Sequence, residues 1–564
     1  MEKNKSKRIG GMENSKGITL LALAVTIVVL LILTSIGIKL ALGNNGIIGE
    51  AKNAKEQAEI DEEKGIVKRA TTVSLIKSKG SKVEKDTLEK ALNDETGEGK
   101  TEVNDVGDAF EVVFVDSNRY YEVDEDGNIS DVNKITKDDY AGDITKGGKC
   151  DGSEEKPYEI SCIEDLVVLS NITNGTGIKI ENGVAVSVTT RDAFNGKYIV
   201  LTRDLNFKSK YSYDNYSRID FGNLNGDDTD GNSLMTEMTT GSGFVPIGDE
   251  RKNSGYSNFQ GNFNGNNNEI KNLYQESNGL LGLFGQVNAS DTVEIKNLTI
   301  SGNIKKKSNT VMYSAAGLIG NFYGKLCNIE NITNYVDVFS EQGSIGGVVG
   351  YTTTPNGMKI KNCKNYGKII NLNSTNNMNE SAGGIIGFVY SGNVEIVNCV
   401  NYGNISGNDA YAYDGTGGII GGCWSANVNI YNTCNYGKIE GNYRIGGIAG
   451  TMHLDAGKSF NFINVINVGN VLATNPYAIG GILGTKSSTS TTNKTINVFY
   501  LSKNDRGIGA GMEDTTIGYT ASEMMEGALI EKLNEYINSE KKDDSTDRWK
   551  KWKQSEKGYP ILED

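Results

Sequence analysis

The sequence predicts a mainly β protein whose bulk is a right-handed parallel β-helix, and three observations carry that prediction. A phrase of the type Ile-x-Asn places asparagines at Asn272, Asn297, Asn331, Asn362, Asn398, Asn432 and Asn464, spaced 25, 34, 31, 36, 34 and 32 residues apart. A Gly-x-x-Gly phrase keeps step with it from Gly282, Gly317, Gly347, Gly384, Gly418, Gly447 and Gly481. Two phrases in phase over so many turns mark a solenoid. Between them lie short runs of Ile, Val and Tyr bounded by Gly, Asn and Ser, which suit strands and exclude helical repeats.

A coil of about 33 residues fits two or three short strands, stacked at roughly 4.8 Å per coil. Equivalent positions then lie above one another. Asn362, Asn398 and Asn432 are expected to form an amide ladder, with the glycines at bends. The phrases AAGLIG, GGVVG, GGIIG, GGIAG and GGILG resemble the GLUG-motif repeats of bacterial surface proteins over roughly residues 260–505. That resemblance implies a scaffold.

Taken in order, residues 1–17 form a basic leader with Lys3, Lys5, Lys7, Arg8 and Lys16. Residues 18–38 then run without a charge. At 1.5 Å per residue this length of helix spans roughly 30 Å, a bilayer core, with the flanking positive charge holding the N-terminus inside. The junction Ser15-Lys16-Gly17-Ile18-Thr19-Leu20 resembles the leader junction of type IV prepilins and pseudopilins. The resemblance implies cleavage after Gly17 by a prepilin peptidase, N-methylation of Ile18, and other pilin-like subunits as partners. Ile18 stands where the family usually has Phe, and Ala22 where it has the glutamate that assists docking, which points to a tip or minor subunit. An uncleaved signal anchor is the plainer alternative.

Residues 18–78 are expected to be one transmembrane and extended helix, with Ala51, Ala54, Ala58, Ile66 and Ala70 on a face. Residues 79–137 then supply a short helix at 83–93 and strands at 109–115 and 119–123, an arrangement of the pilin kind. Asp124, Asp126, Asn128 and Asp131 form either a plain hairpin turn or a calcium loop, and Asp228 and Asp230 lie in a loop with a similar alternative. Residues 138–155 have the composition of a linker. Residues 156–270 hold the N-terminal cap and first coils, where Ser161 and Glu164 have capping-box spacing before an apolar helical run. Residues 271–505 are the repeat region. In residues 506–564, Thr520 and Glu523 form a second capping box, opening a helix with Ala521, Met525, Leu529, Leu533 and Ile537 on one face to close the last coil. Trp549 and Trp552 pack on that cap, or else the run 548–553 contacts an anionic polymer.

Composition bounds the function. The chain has 564 residues, 70 glycines, 5 prolines and a formal charge of −14, which opposes non-specific nucleic-acid binding by the whole surface. Seven cysteines show no metal-ligand spacing, and there is a single histidine. Cys363 and Cys399 share a repeat position while Cys434 is shifted by one, and stacked buried thiols are expected. No cofactor or metal set is predicted. Between Asn331 and Tyr500 the carboxylates are Asp337, Glu341, Glu380, Glu395, Asp409, Asp414, Glu440 and Asp455, with no pairing at coil spacing in the sequence. His453 has Asp455 near it but no nucleophile phrase. These features predict that the chain is not an enzyme; a carbohydrate-active β-helix enzyme and a purely structural surface protein are the alternatives.

The binding candidates are Tyr366, Tyr402 and Tyr436, aligned in the Asn-Tyr-Gly phrase, together with Tyr411 and Tyr413. The turns 371–381 and 407–416 vary in length while the strand phrases barely change, the usual geometry of a binding side. The expectation is a single-pass membrane or pilus-assembled surface protein that displays an adhesion domain for a glycan or a host or cell-surface ligand.

Overall fold

The computed structural model describes residues 47–564 apart from 208–241, 250–256, 308–313, 373–379, 409–413, 540–548 and several shorter stretches. The Gly17-Ile18 junction, the apolar run 18–38, Asp131, Asp228, Asp230, Asp409, Tyr411 and Tyr413 lie outside the described residues. Among the described residues no helix is long and apolar enough to cross a membrane. The chain divides into two compact units, Met1–Ile135 and Thr136–Asp564.

In the first unit, helix α1 (Ile47–Lys77) is rich in Ala, Glu and Lys, all good helix formers. It buries Val67, Ala70 and Ser74, a one-sided stripe. That stripe meets Leu88, Ala91 and Leu92 of α2 (Lys85–Thr96) and Val103, Val112, Phe114, Tyr121 and Val123 of a four-stranded antiparallel sheet. Ala54 and Ala58 are exposed, because the cover begins only near Ile66. The expected alanine face is therefore real only in the second half of the helix. The sheet is β1 (Thr101–Asp105), β2 (Ala109–Phe114), β3 (Arg119–Asp124) and β4 (Asn133–Lys134), in that order. Arg119 is buried and fastens sheet to helix. Its guanidinium donates to both Glu63 oxygens at 2.8 and 2.9 Å, and the Tyr121 hydroxyl donates to Glu63 at 3.0 Å. At the β3–β4 turn Asp124 accepts from the backbone and the amide of Asn128, both at 2.7 Å, so its carboxylate closes a hairpin turn.

The second unit is a parallel β-solenoid of about six turns. Its register is legible as columns. Phe263, Ile295, Ile329, Ile360, Ile396, Ile430 and Phe462 pair successively in parallel, and all are buried. Each such aliphatic contributes roughly 1.5–3 kcal/mol by leaving water. A second column runs Ile319, Val349, Ile386, Ile420, Ala449 and Leu483.

Two asparagine ladders run alongside. The inner one is wholly buried: Asn334 donates to Asn365, Asn365 to Asn401, Asn401 to Asn435 and Asn435 to Asn467, at 2.7–2.8 Å. The second N–H of Asn365, Asn401, Asn435 and Asn467 goes to the carbonyl two residues on, at 2.9–3.0 Å. Both amide hydrogens of the buried Asn365, Asn401 and Asn435 are thereby bonded, as burial of an amide requires. The glycines explain themselves against this ladder. A Cβ at Gly347, Gly384, Gly418 or Gly447 would lie 2.3–2.6 Å from the Cγ of Asn365, Asn401, Asn435 or Asn467 respectively. The two repeated phrases are thus two sides of one contact.

The outer ladder occupies a corner where the backbone turns left-handed, with φ between +48° and +59° at Asn297, Asn331, Asn362, Asn398, Asn432, Asn464 and Asn497. Asparagine tolerates that conformation better than other non-glycine residues. The expected rungs form: Asn398 donates to Asn362 at 3.1 Å and Asn432 to Asn398 at 2.8 Å. Asn272 does not belong to it. Ile270 pairs with Ile300, so Asn272 sits at a different corner and donates to Asn206, which accounts for its short spacing of 25.

Residues 140–150, linker-like in composition, fold onto the first end of the solenoid. Ile144 enters the core and Lys146 makes a buried ion pair with Asp165 at 2.6 Å. Helix α3 (Ile163–Asn174) packs Ile163, Leu166, Val168 and Leu169 into the same core. The cap at its start uses Asp165, which accepts from Ser161 N and Oγ at 2.8 and 2.9 Å, whereas Glu164 points into the protein.

At the other end the Thr520–Glu523 capping box forms with both bonds, opening α4 (Ala521–Met524). The chain then breaks and resumes as α5 (Gly527–Ser539), so Met524 is buried in place of Met525. Together with the antiparallel hairpin of Trp552–Gln554 and Pro560–Leu562, these helices cover Cys434, Ile466 and Phe499 from outside. The segment clamps the flank of the last coils, where the sequence suggested a plug on the final one. Cys434 shows why. Val400 pairs with Cys434, so the one-residue shift from Cys399 sends the side chain to the opposite, outer face. All seven cysteines are free and buried.

Candidate ligand-binding face

Strand alternation places the buried inner-ladder asparagine and the following tyrosine on opposite faces. Tyr366 N donates to Asn334 O at 2.7 Å, and Tyr402 N to Asn365 O at 2.7 Å, fixing each ring above its predecessor. The result is a column of four rings: Tyr335, Tyr366, Tyr402 and Tyr436. Centroids are 4.7, 4.6 and 5.1 Å apart and planes differ by only 11°, 9° and 8°. Tyr335 extends the set read from sequence. Its phrase is Asn-Tyr-Val, so the glycine that marked the others is missing.

Geometry corrects what the column can offer. Rings stacked face to face cover one another's faces, so the column shows solvent its edges and hydroxyls. Of the two end rings, Tyr335 and Tyr436, each with a ring neighbour on one side among the described residues, Tyr335 is the exposed one. It is 47% exposed, and its register partner on the preceding coil is the small Ser301. At the other end the Tyr436 hydroxyl donates to the carbonyl of Pro560, and burial pushes that hydroxyl's pKa well up. The exposed part of the column is therefore Tyr335 and Tyr366, with Tyr402 half-buried between them and Tyr436.

Four residues before Tyr335 on the same face lies Asn331, and between them Thr333 points outward. Here a groove of about 230 Å³ is lined by Asn267, Asn297, Thr299, Asn331, Thr333 and Asn362, with Leu298, Lys364 and Lys550 completing it. The outer ladder is interrupted inside this groove. Asn331 donates to Asn297 at 2.9 Å, but Asn362 turns its amide to Glu330 at 3.4 Å, and no donor among the described residues reaches Asn331 Oδ1. Just beyond, the ladder binds polypeptide: Lys550 N donates to Asn398 Oδ1 at 3.1 Å, Asn432 Nδ2 donates to Lys550 O at 2.8 Å, and Trp552 Nε1 donates to Asn432 at 2.6 Å. Trp549 stacks on Tyr431 and Tyr536 with centroids 5.5 and 6.1 Å away. Both tryptophans of the basic run are thus packing residues.

A second aromatic row was not anticipated. Tyr323, Tyr351, Tyr390, Trp424 and His453 succeed one another at 5.8, 6.2, 6.2 and 5.2 Å. The signal was present in the sequence, because Tyr323, Tyr390, Trp424 and His453 each follow the second glycine of the Gly-x-x-Gly phrase by three residues. The Ser425 hydroxyl, beside Trp424, donates to Asp455 at 2.6 Å, and the Ser425 backbone N–H donates to the His453 carbonyl at 2.8 Å.

The carboxylates also need a correction. Ala382 pairs with Thr416, which puts Glu380 and Asp414 at equivalent coil positions, both buried. Coil spacing therefore does pair two acids, although turns of unequal length hid it. Among the described residues no group of three or more His, Cys, Asp or Glu is placed to hold a metal. Compared with known proteins, the chain matches no family model, no curated protein and no solved structure. The face itself offers one aromatic platform, a row of tyrosine hydroxyls, amide and hydroxyl groups at coil spacing, and two lysines. Such a set suits a hydroxyl-rich ligand.

Proposed function

We propose that this chain is a surface adhesin of the prepilin type, a minor pilin or pseudopilin-like protein that displays a right-handed β-helix as its binding domain. The observation that carries the adhesive part is the open end of the tyrosine column, Tyr335 and Tyr366, beside the asparagine-lined groove. The prepilin part is supported by the Lys16-Gly17-Ile18 junction, the uncharged run after it, and the long helix with a small antiparallel sheet at residues 47–134. In this reading a prepilin peptidase processes the chain, a single N-terminal helix holds it in the membrane, and the solenoid is carried outside.

Two experiments test the two parts. Co-expression with a prepilin peptidase is expected to give a mature N-terminus at Ile18; an intact Met1 or a cut beyond residue 38 sinks the assignment. The full-length chain in detergent is expected to bind glycans or cell surfaces and to lose that binding with Tyr335→Ala. If nothing binds, a purely structural role replaces adhesion. The buried, in-register Glu380 and Asp414 favour one competitor, a carbohydrate-active enzyme. Polysaccharide cleavage that disappears with Asp414→Asn is the result that would establish it.

A further inference from the structure

Lys146 and Asp165 form an ion pair that has been taken out of water. The Lys146 Nζ donates to Asp165 Oδ2 at 2.6 Å, and the two side chains are 8% and 0% exposed. Around them in the chain, Ala141, Ile144, Cys162 and Ile163 are buried as well. The carboxyl is gripped unequally. Oδ2 also accepts from Ser161 N and Oγ at 2.8 and 2.9 Å, whereas Oδ1 accepts from the Gly142 N–H at 2.8 Å. Lys146 Nζ makes a longer bond to Tyr140 O at 3.4 Å. A hydrogen bond as short as that to Oδ2 leaves Nζ about 3–3.5 Å from Asp165 Cγ, the separation of a near-attack arrangement.

We infer that Lys146 and Asp165 condense to an isopeptide bond, Nζ to Cγ, which staples residues 140–150 to helix α3. The balance closes within the pair: an ammonium and a carboxylate become a neutral amide and one water, with no oxidant or second substrate. A proton first crosses from Nζ to Oδ2 along their hydrogen bond, because a dry interior favours a neutral amine and acid over two ions. The amine lone pair then attacks Cγ. Negative charge develops on Oδ1, where the Gly142 N–H stands as the oxyanion donor. Oδ2 already carries the first proton, takes a second from Nζ and leaves as water. Ser161 N–H and Oγ–H donate to it while the C–O bond breaks. The pair Lys100–Asp116 is the natural control. Its 2.7 Å contact is nearly as short, but the side chains are 54% and 74% exposed, so water competes for both groups.

The test is a tryptic map of the full-length chain, purified in detergent and unfolded before digestion. The expected result is one branched peptide that joins the segments around Lys146 and Asp165. It should weigh one water less than the two segments together, and trypsin should not cut after Lys146. The segments holding Lys100 and Asp116 should be recovered unlinked. Lys146→Arg keeps the charge and should abolish the branched peptide while leaving the circular-dichroism spectrum unchanged. Ser161→Ala removes one donor from the leaving oxygen and should slow closure at least about tenfold, followed by mass spectrometry of freshly synthesised chain. Recovery of unlinked Lys146 from the folded protein overturns the inference. So does a branched peptide that persists in Lys146→Arg, or linkage of Lys100 to Asp116 to the same extent. Closure of Ser161→Ala at the parental rate overturns the assignment of Oδ2 as the leaving atom. None of these outcomes bears on glycan binding, so the adhesion reading stands or falls separately.

Discussion

The position a Cβ would take on Gly384 lies 2.4 Å from Cγ of Asn401, and the same near-collision recurs on consecutive coils. The Gly418 carbonyl of the next coil is closer still, at 2.2 Å, so the glycine is required both by the asparagine of the other phrase and by the stacked backbone. Gly384→Ala must displace a buried ladder amide and the backbone of the next coil. Overpacking of this kind costs typically about 1–3 kcal/mol, and more where the neighbour cannot move. Denaturant unfolding should show that loss for Gly384→Ala. Gly527→Ala, where nothing lies within 4 Å of the added methyl, should be neutral or slightly stabilising.

The two ladders should respond differently to deletion. Asn401→Ala leaves the buried Asn435 Oδ1 and Gly403 O without their donor, and each orphaned group costs about 1–3 kcal/mol. A destabilisation of about 2–4 kcal/mol is expected by the same measurement. Asn331→Gly on the exposed outer rung should stay within about 0.5 kcal/mol, because glycine also accepts the left-handed turn. Equal costs at the two sites would refute the distinction drawn between a satisfied core and a solvated corner.

Stability should fall as pH rises through the neutral range, with Glu164 as a cause. This carboxyl is fully buried beside Cys162 and Asp165, and neither oxygen meets a donor of ordinary geometry. Burial pushes its pKa up to about 8 from 4.5. Between those values the unfolded chain has lost the proton and the folded chain keeps it, so unfolding releases a proton and stability declines with pH. Above about 8 the contribution is flat. Glu164→Gln should flatten this slope and raise the denaturation midpoint at pH 8, while changing little at pH 4. A variant whose pH profile overlays the parent excludes Glu164 as the cause.

Trp552 holds the flanking clamp. It is 2% exposed, bonded to Asn432, and shares a cluster with Cys434, Leu529 and Leu533. Trp552→Ala should cost about 3–5 kcal/mol. It should also speed labelling of Cys434 by a thiol reagent, because that residue lies under the hairpin on the outer face. Cys363 and Cys399 belong to the solenoid core and serve as internal controls. Labelling that rises equally at all three would mean global unfolding and not release of the clamp.

The repeat is legible in the residues alone. Side-chain identities recurring at coil spacing specify parallel stacking, because a stacked coil pairs equivalent positions, and that was enough to name the ladder of Asn362, Asn398 and Asn432 and to align the tyrosines. It also marked α1, α2 and the strands at Ala109–Phe114 and Arg119–Asp124, where propensity and burial agree. β1, TEVND, escaped because its alternation is only five residues long and its one large apolar residue is Val103. The tertiary structure decided everything that depends on distance across a coil. Spacing alone could not show that Gly384 faces Asn401, that Glu380 lies level with Asp414, or that Asn272 turns a different corner. Loops of unequal length shift the count while the register stays constant. Nor could it show that the rings stack face to face with Tyr335 as the exposed end, or that the C-terminal hairpin lies along the flank over Tyr436. Those outcomes follow from ring orientation and from a one-residue shift at Cys434, which composition and period leave undetermined.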